Sequence, residues 1–394
     1  MLNYDEARKI ILERVSPITP ENVRLSDSAG RILAEDITAV FNVPAFDRSP
    51  YDGYAFRAED SPGTLHIIGE IRAGENFRTP LKPGEAVKIL TGAMIPESAD
   101  AVVKYEDTEY TDSEVTVCET FRSGDNVIRA GEDIRKGDIV ARAGEIIDAG
   151  TAGVLASQDI SSPKVYRKPK IGIITTGSEL QDLDSNLTAG KIRNTSRYTF
   201  ESALTLAGFV PKFCGIAIDD ERVIAGLISE SLVRNDALIV TGGVSAGDYD
   251  RTPEALKLVG AKILVRDVAL KPGGKCVYAV KDRKLICCLS GNPASALTNY
   301  YAVSLPALKK LSGLKDYMPE EIDVTLANSF PKRSPQTRII RGRLKFSDGQ
   351  AVMYVPSEQG NGVLSTMSGS NFMAVIPSGS GKLQEGTRLK GFAI

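Results

Sequence analysis

The sequence predicts a multidomain chain of mixed class: a doubly wound α/β domain set between β-rich N-terminal domains and a small C-terminal β-barrel. Three observations predict it. Strand and helix patterns alternate only between about 171 and 317, as expected for a parallel sheet with helices on both faces. Short strand patterns broken by turn residues occupy both flanks. The chain has 394 residues, which at roughly 150 residues per domain suggests about two to four domains.

The elements follow in order. Tyr4, Ala7, Ile11 and Val15 recur at helical spacing, and Pro17 and Pro20 stop that helix. Residues 32–43 read as extended, and a polar loop runs from Asp47 to Tyr54. Strands are expected at 64–71, 86–90, 101–105, 115–118 and 139–141, separated by Gly74, Pro83-Gly84, Pro96 and Gly137-Asp138. The character changes at Ile171-Gly-Ile-Ile-Thr175, an apolar run of buried-strand type. A helix over 196–207 follows, with Asn194 or Thr195 as its cap. Next come strand 213–218, helix 221–234, strand 237–241, helix 253–259 and strand 263–268. A β-pair within 276–289 and a helix over 293–311 complete the segment. Beyond Pro319, strands at 321–327, 339–344, 352–355 and 372–376 fit a small barrel or sandwich.

Composition narrows the chemistry. A net charge of -2 gives no global basic field for nucleic acid. The single histidine, His66, lies in a strand pattern and is read as structural, which leaves no His-based zinc or iron site and no Ser-His-Asp triad. The five cysteines form no C-x-x-C pair and read as small core residues of a reducing compartment. The first residues are polar and helical rather than a signal peptide, and no apolar run approaches the roughly 20 residues that a membrane span needs. The expectation is a cytoplasmic protein with neither a nucleic-acid nor a membrane partner. Its chemistry would rest on carboxylates, Lys, Arg, hydroxyls and backbone dipoles.

In an open parallel sheet, ligands bind beyond the carboxyl ends of the strands. The residues after each strand are therefore informative: Thr175-Thr-Gly-Ser-Glu179, Asp219-Asp220, Gly242-Gly-Val-Ser-Ala-Gly-Asp-Tyr-Asp250, Lys271-Pro-Gly-Gly-Lys275 and Ser290-Gly-Asn-Pro293. Each has a plain structural use as well. Gly242-Gly243 can supply positive φ, Asp219 or Asp220 can cap a helix, and Asn292-Pro293 is a cap followed by a first helical residue. Together they concentrate backbone N–H groups and lysines suited to phosphate oxygens, and carboxylates (Glu179, Asp219, Asp250) suited to Mg²⁺. Neither a P-loop nor a G-x-G-x-x-G occurs, since Gly274-Lys275 is followed by Cys276.

These loops resemble the molybdopterin-binding domain. Ser49-Pro-Tyr-Asp-Gly-Tyr54, Thr91-Gly-Ala93, Pro96, Asp100-Ala-Val-Val103 and Arg129-Ala-Gly-Glu-Asp-Ile134 narrow the resemblance to the molybdopterin molybdenumtransferase family, which includes the C-terminal (E) domain of gephyrin. The resemblance runs in order over nearly the whole chain. It implies Mg²⁺-dependent insertion of molybdate into adenylylated molybdopterin with release of AMP. It also implies a homodimer whose active cleft is shared between subunits, and a possible contact with the molybdopterin adenylyltransferase.

Carried over by motif, Asp52, Thr91, Asp133, Glu179, Asp219 and Asp250 are the catalytic candidates, the last three of them metal ligands. Thr176, Gly177, Ser178, Gly242, Gly243, Ser245, Gly247, Lys271, Gly273, Lys275 and Ser290 to Pro293 (with Gly291 and Asn292 between) would hold the pterin substrate, with Arg341 and Ser365 matched more loosely. The implied domains are 1–44 with 136–170 (a discontinuous linker and dimerisation unit), 45–135, 171–317 and 318–394. Three positions depart from the family pattern: Ser290 stands where Pro is usual, Tyr51 where Met is usual, and Asp267 where a lysine is often found. Two readings compete: a pterin-binding scaffold without turnover, and an adenylyltransferase acting one step earlier. The set of carboxylates argues against the first, and the flanking domains against the second.

Overall fold

The structure is a computed structural model that describes residues 1–245, 251–347 and 349–394. The first helix, Tyr4–Leu12, is fixed by a capping box in which Asn3 and Glu6 exchange side-chain and backbone hydrogen bonds. It buries Tyr4, Ala7 and Ile11 in the same core as Ile171, Ile173 and Phe200 of the α/β layer.

The β-rich N-terminal region contains a six-stranded sheet in the order Ala101–Lys104, Gly53–Phe56, Glu85–Ile89, Gly63–Ile71, Glu114–Val117, Thr108–Tyr110. Its strand Gly53–Phe56 is buried along its whole length, because the sheet carries apolar clusters on both faces. Tyr54 and Phe56 point to one cluster, Ala55 to the other, the alternation a pleated strand imposes. His66 is exposed on Gly63–Ile71. Short strands from 20–38 and 139–166 pair across the sequence around a small separate core of Leu33, Ile147, Leu155 and Val165.

The central sheet has the order Val210–Ala217, Lys170–Thr176, Ala237–Thr241, Lys284–Leu289, Cys276–Lys281, Lys262–Arg266. The first four strands run parallel and are rich in β-branched residues, as a sheet covered on both faces requires. The expectation of a parallel sheet needs one correction: Cys276–Lys281 runs antiparallel to both its neighbours. The cause is local. Asp282 and Arg283 both take positive φ, 48° and 64°, forming a two-residue loop between Lys281 and Lys284 that fits a type I′ hairpin. The expected helix over 293–311 is present as Pro293–Asn299 and Leu305–Leu311 joined by a π-helical turn, Tyr300–Ser304.

At the C-terminus, strands Ile322–Leu326, Thr337–Ser347, Gln350–Tyr354, Phe372–Ile376 and Arg388–Ala393 form a sheet that closes on itself. Thr337–Ser347 pairs with both Gln350–Tyr354 and Phe372–Ile376. The result is a barrel around Phe330, Ile340, Met353 and Phe372. The last strand, Arg388–Ala393, was not among the sequence expectations; its alternation of Leu389 with charged Arg388 and Lys390 is a short signal for a half-buried strand.

Candidate active site

The parallel strands end together, and their loops are tied to one another. Gly177 N–H donates to the Ala217 carbonyl at 3.0 Å, and Ser178 N–H donates to Asp219 Oδ2 at 2.9 Å. Gly242 N–H donates to the Leu289 carbonyl at 2.9 Å. Asn194, expected as a helix cap, does cap Thr195–Leu206, and its Nδ2 also donates to Thr175 Oγ1 at 2.9 Å. Two glycines are required by close approach. A Cβ on Gly243 (φ +65) would lie 2.6 Å from Thr252 Oγ1, and one on Gly273 (φ +93) would lie 2.8 Å from the Ser295 carbonyl.

These loops enclose a cleft of about 1070 Å³. Thr176, Gly177, Glu179 and Asp219 line one side, and Gly242, Gly243 and Ser245 its floor. Lys271, Gly273, Lys275 and the run Ser290, Gly291, Asn292 and Pro293 complete the α/β wall. Thr176 is 5% exposed, and its Oγ1 has no hydrogen-bond partner among the described residues, leaving a buried hydroxyl in the cleft wall. Such an orphan suits a polar ligand.

Lys271 sits on a two-residue strand that pairs in parallel with Thr337 and Arg338 of the barrel, so the barrel helps place it. The loop after it is held from below: buried Asn299 donates from Nδ2 to the Gly273 carbonyl at 2.6 Å and accepts from the Tyr278 hydroxyl. Lys275 pairs with Asp267 at 2.8 Å, so the residue standing in place of the family lysine neutralises a neighbour. Ser290 also has an evident use, because its Oγ accepts the Asn292 N–H at 3.2 Å and braces the loop that a proline would stiffen.

Several expected residues lie elsewhere. Ser178 does not line the cleft; its backbone holds Asp219. Arg341, expected as a ligand contact, is corrected to a supporting residue. It is 2% exposed, and its guanidinium donates to Thr366 Oγ1 at 2.8 Å and to the carbonyl of Val363 at 3.1 Å. It thereby shapes the segment whose Asn361, Gly362 and Leu364 reach the cleft, while exposed Ser365 does not. Gly247 and Asp250 lie outside the described residues. Residues unforeseen from the sequence are Arg193, Thr195 and Ser196 at the start of the helix Thr195–Leu206, and Gln336 and Asn361 from the barrel. The Gly-Asn-Gly run at 360–362 was the one legible signal among them.

Asp52, Thr91 and Asp133 do not line this cleft within one chain. Asp52 and Thr91 do come together: Thr91 donates to Asp52 Oδ1 from its backbone N–H and from its hydroxyl, each at 2.7 Å. The backbone bond first, then the hydroxyl, hold the Asp52 carboxyl below the ordinary carboxylate range. Asp133 is exposed, on a turn fixed by its N–H to the Val43 carbonyl at 3.0 Å. Cys276, Cys287 and Cys288 are buried, and burial pushes the Cys276 and Cys287 thiols up to about 12. They are poor nucleophiles and poor metal ligands. No cluster of three or more His, Cys, Asp or Glu suited to a metal occurs among the described residues.

The three regions match three families in chain order. Residues 2–158 match the MoeA N-terminal region (domain I and II), 172–310 the probable molybdopterin binding domain, and 323–390 the MoeA C-terminal region (domain IV). The fold and the strand-end cleft thus define a protein of the molybdopterin-binding class with MoeA-type flanking regions.

Among curated proteins, the molybdopterin molybdenumtransferase of Staphylococcus epidermidis is 34% identical over 386 residues, covering 96% of this chain and 92% of the relative. That of Staphylococcus aureus is 34% identical, covering 95% and 91%. A crystal structure of a molybdopterin biosynthesis MoeA protein from Pyrococcus horikosii superposes with a TM-score of 0.87 at 29% identity, covering 100% of this chain and 99% of that one. The chain belongs to the molybdopterin molybdenumtransferase family, enzymes of molybdenum cofactor biosynthesis.

Proposed function

We propose that this enzyme takes adenylylated molybdopterin, hydrolyses off the adenylyl group as AMP, and inserts molybdate at the dithiolene sulfurs with Mg²⁺ present. One observation carries the reading: a single cleft at the sheet's carboxyl edge combines two carboxylates, Glu179 and Asp219, with two lysines, Lys271 and Lys275.

The donors fit Mg²⁺, which takes one or two carboxylates and completes its shell with phosphate oxygens and water. Glu179 and Asp219 would hold it, with Asp250 a further candidate; the ion, when bound, neutralises charge on the phosphates. The Ser178 N–H keeps Asp219 turned in place. Lys271 and the N-terminal end of the helix that starts at Pro293 would hold the pterin phosphate, while Gly243 lets the chain approach it closely. In the adenylyl step, water oxygen bonds to the AMP phosphorus, the pyrophosphate bridge breaks, and the pterin keeps its own phosphate; positioning and charge neutralisation do most of the work. Molybdate is an oxyanion substrate, bound by N–H, hydroxyl or cationic donors, and its sulfur ligands belong to the pterin. That division suits a protein whose cleft is lined by no cysteine or histidine among the described residues.

The Asp52–Thr91 pair supports a shared site. An exposed carboxylate held ionised, outside the lining of its own chain's cleft, gains a use if it faces the cleft of a second copy in a homodimer. We propose the same for Asp133, a cytoplasmic location, the four-domain division 1–44 with 136–170, 45–135, 171–317 and 318–394, and delivery of substrate by the adenylyltransferase. The test is direct: pure protein is mixed with adenylylated molybdopterin, Mg²⁺ and molybdate, and AMP is measured. AMP release dependent on Mg²⁺ is expected. No AMP would favour a scaffold, and ATP consumption with unadenylylated molybdopterin would favour an adenylyltransferase.

A further inference from the structure

The opposite end of the same sheet carries a second pocket, of about 660 Å³, at the amino ends of the strands. Its charged lining is unbalanced. Arg31, Arg167, Lys168, Lys170, Arg234 and Lys284 face only Glu21 and Asp236. Both carboxylates are already committed. Asp236 accepts a bidentate pair from Arg167 at 2.7 and 2.5 Å and the Lys170 N–H at 2.8 Å. Burial works against its ionisation, yet the Arg167 hydrogen bonds hold its carboxyl below the ordinary range. Glu21 pairs with Arg31 at 2.5 Å.

The lysines are therefore left over. Lys168 and Lys170 have no carboxylate partner among the described residues, and Arg234 reaches only Glu230, at 4.0 Å. The Lys284 ammonium donates to the Leu232 carbonyl, which uses one of its three protons. The Arg31 side chain is 10% exposed, and its buried Nε–H lacks any partner among the described residues. A concave, like-charged surface focuses potential and gathers counter-ions, and a buried guanidinium N–H without an acceptor is costly unless a ligand supplies one.

We propose that this pocket is a second anion site, which takes a molecule with clustered phosphate oxygens, either free pyrophosphate or the phosphates of a nucleotide. It is separate from the cleft of the proposed reaction, being lined by none of the same residues. A bound phosphate group would bridge the N-terminal segment, through Arg31, to the starts of the strands whose far ends form that cleft.

Titration calorimetry of the full chain with inorganic pyrophosphate, and separately with ADP, tests this. Two classes of site are expected. The double variant Lys168→Glu, Lys170→Glu changes two exposed side chains. It should lose one class, with at least about tenfold weaker binding, the effect of losing about 1.4 kcal/mol, and keep the other. Lys271→Ala should do the reverse. ADP bound at the Lys168 site as tightly as pyrophosphate would assign nucleotides as the source; pyrophosphate alone would assign the free anion. If wild type shows one class only, or the Lys168 and Lys170 variant binds as wild type with an unchanged melting temperature, the proposal is overturned. Arg31→Lys serves as the second probe. It keeps the charge but removes the Nε–H, and should weaken pyrophosphate at this site while leaving the cleft class unaltered.

Discussion

The α/β cleft and the Asp52–Thr91 corner of the β-rich region are built in different ways. The cleft is a product of topology: loops from sequence positions 176 to 364 converge because parallel strands end at one edge and a barrel strand pairs beside Lys271. The Asp52–Thr91 corner is a single hydrogen-bonded pair at the end of one sheet, exposed and outside the lining of that cleft in its own chain. The first is a container without all of its expected chemistry, and the second is a piece of chemistry without a container. Under the proposed shared site each chain holds half of the chemistry, so dimerisation is expected to matter for turnover and not for stability alone.

The comparison can be broken most sharply in the cleft. Glu179→Gln should lower AMP release by at least about 100-fold, the scale seen when charge placement in a reacting site is lost, while the fold and melting temperature stay unchanged. Turnover at the wild-type rate in that variant would remove Glu179 from the mechanism. Asp52→Asn should cost about tenfold or more in AMP release but leave pterin binding to the cleft within a factor of about two, since Lys271 and the other cleft residues proposed to hold the pterin are untouched. Equal loss of affinity and rate would instead put Asp52 in ground-state binding.

Mixing these two impaired variants under conditions of subunit exchange sharpens the point. A shared site predicts recovery of about a quarter of wild-type activity, because half of the re-formed symmetric dimers are mixed and each mixed dimer holds one intact site. No recovery, with exchange verified, would place both residues in the same chain's site.

Smaller effects belong to the supporting structure. Asp236→Asn should cost about 1–2 kcal/mol of stability, as loss of a charge-assisted pair partly open to water does. The Asp236 carboxyl is depressed in the folded state. Its contribution is therefore complete above the ordinary carboxylate range near about 4, and is lost as the pH falls through the lowered value. Chemical denaturation from pH 7 to pH 3 should show the gap between wild type and variant closing only at the acid end. Smallest of all, Cys287→Ala and Cys288→Ala should leave turnover unchanged. Their buried, raised thiols do not line the cleft, and only a modest cavity cost is expected.

Much of this was legible in order along the chain. The apolar run at 171–175, the Asn194 cap and the helix Glu221–Arg234 are local signals, set by period and capping chemistry within a few residues. The strand-end rule puts Glu179, Asp219, Gly242, Lys271 and Ser290 beyond one edge of the sheet, and all five line the cleft. The motif match at Arg341 misleads because a motif reports a residue type and not which way it faces; the burial of its guanidinium among the Glu358, Gly360 and Val363 carbonyls and the Thr366 hydroxyl makes it a brace. Gln336 and Asn361 were missed because barrel closure, a long-range pairing of Thr337–Ser347 with Phe372–Ile376, brings them to the cleft.

The sequence by itself determined the class of each segment, the helix caps and the supply of one histidine and five scattered cysteines, since these depend on side-chain type and short-range spacing. Tertiary structure alone decided the rest. It brought Gln336 and Asn361 of the barrel to the cleft, left the Thr176 hydroxyl and the Arg31 Nε–H buried without partners among the described residues, and kept Asp52 out of the cleft of its own chain. The physical reason is that partners and burial are properties of distances between segments far apart in the chain, which packing sets and local pattern does not encode.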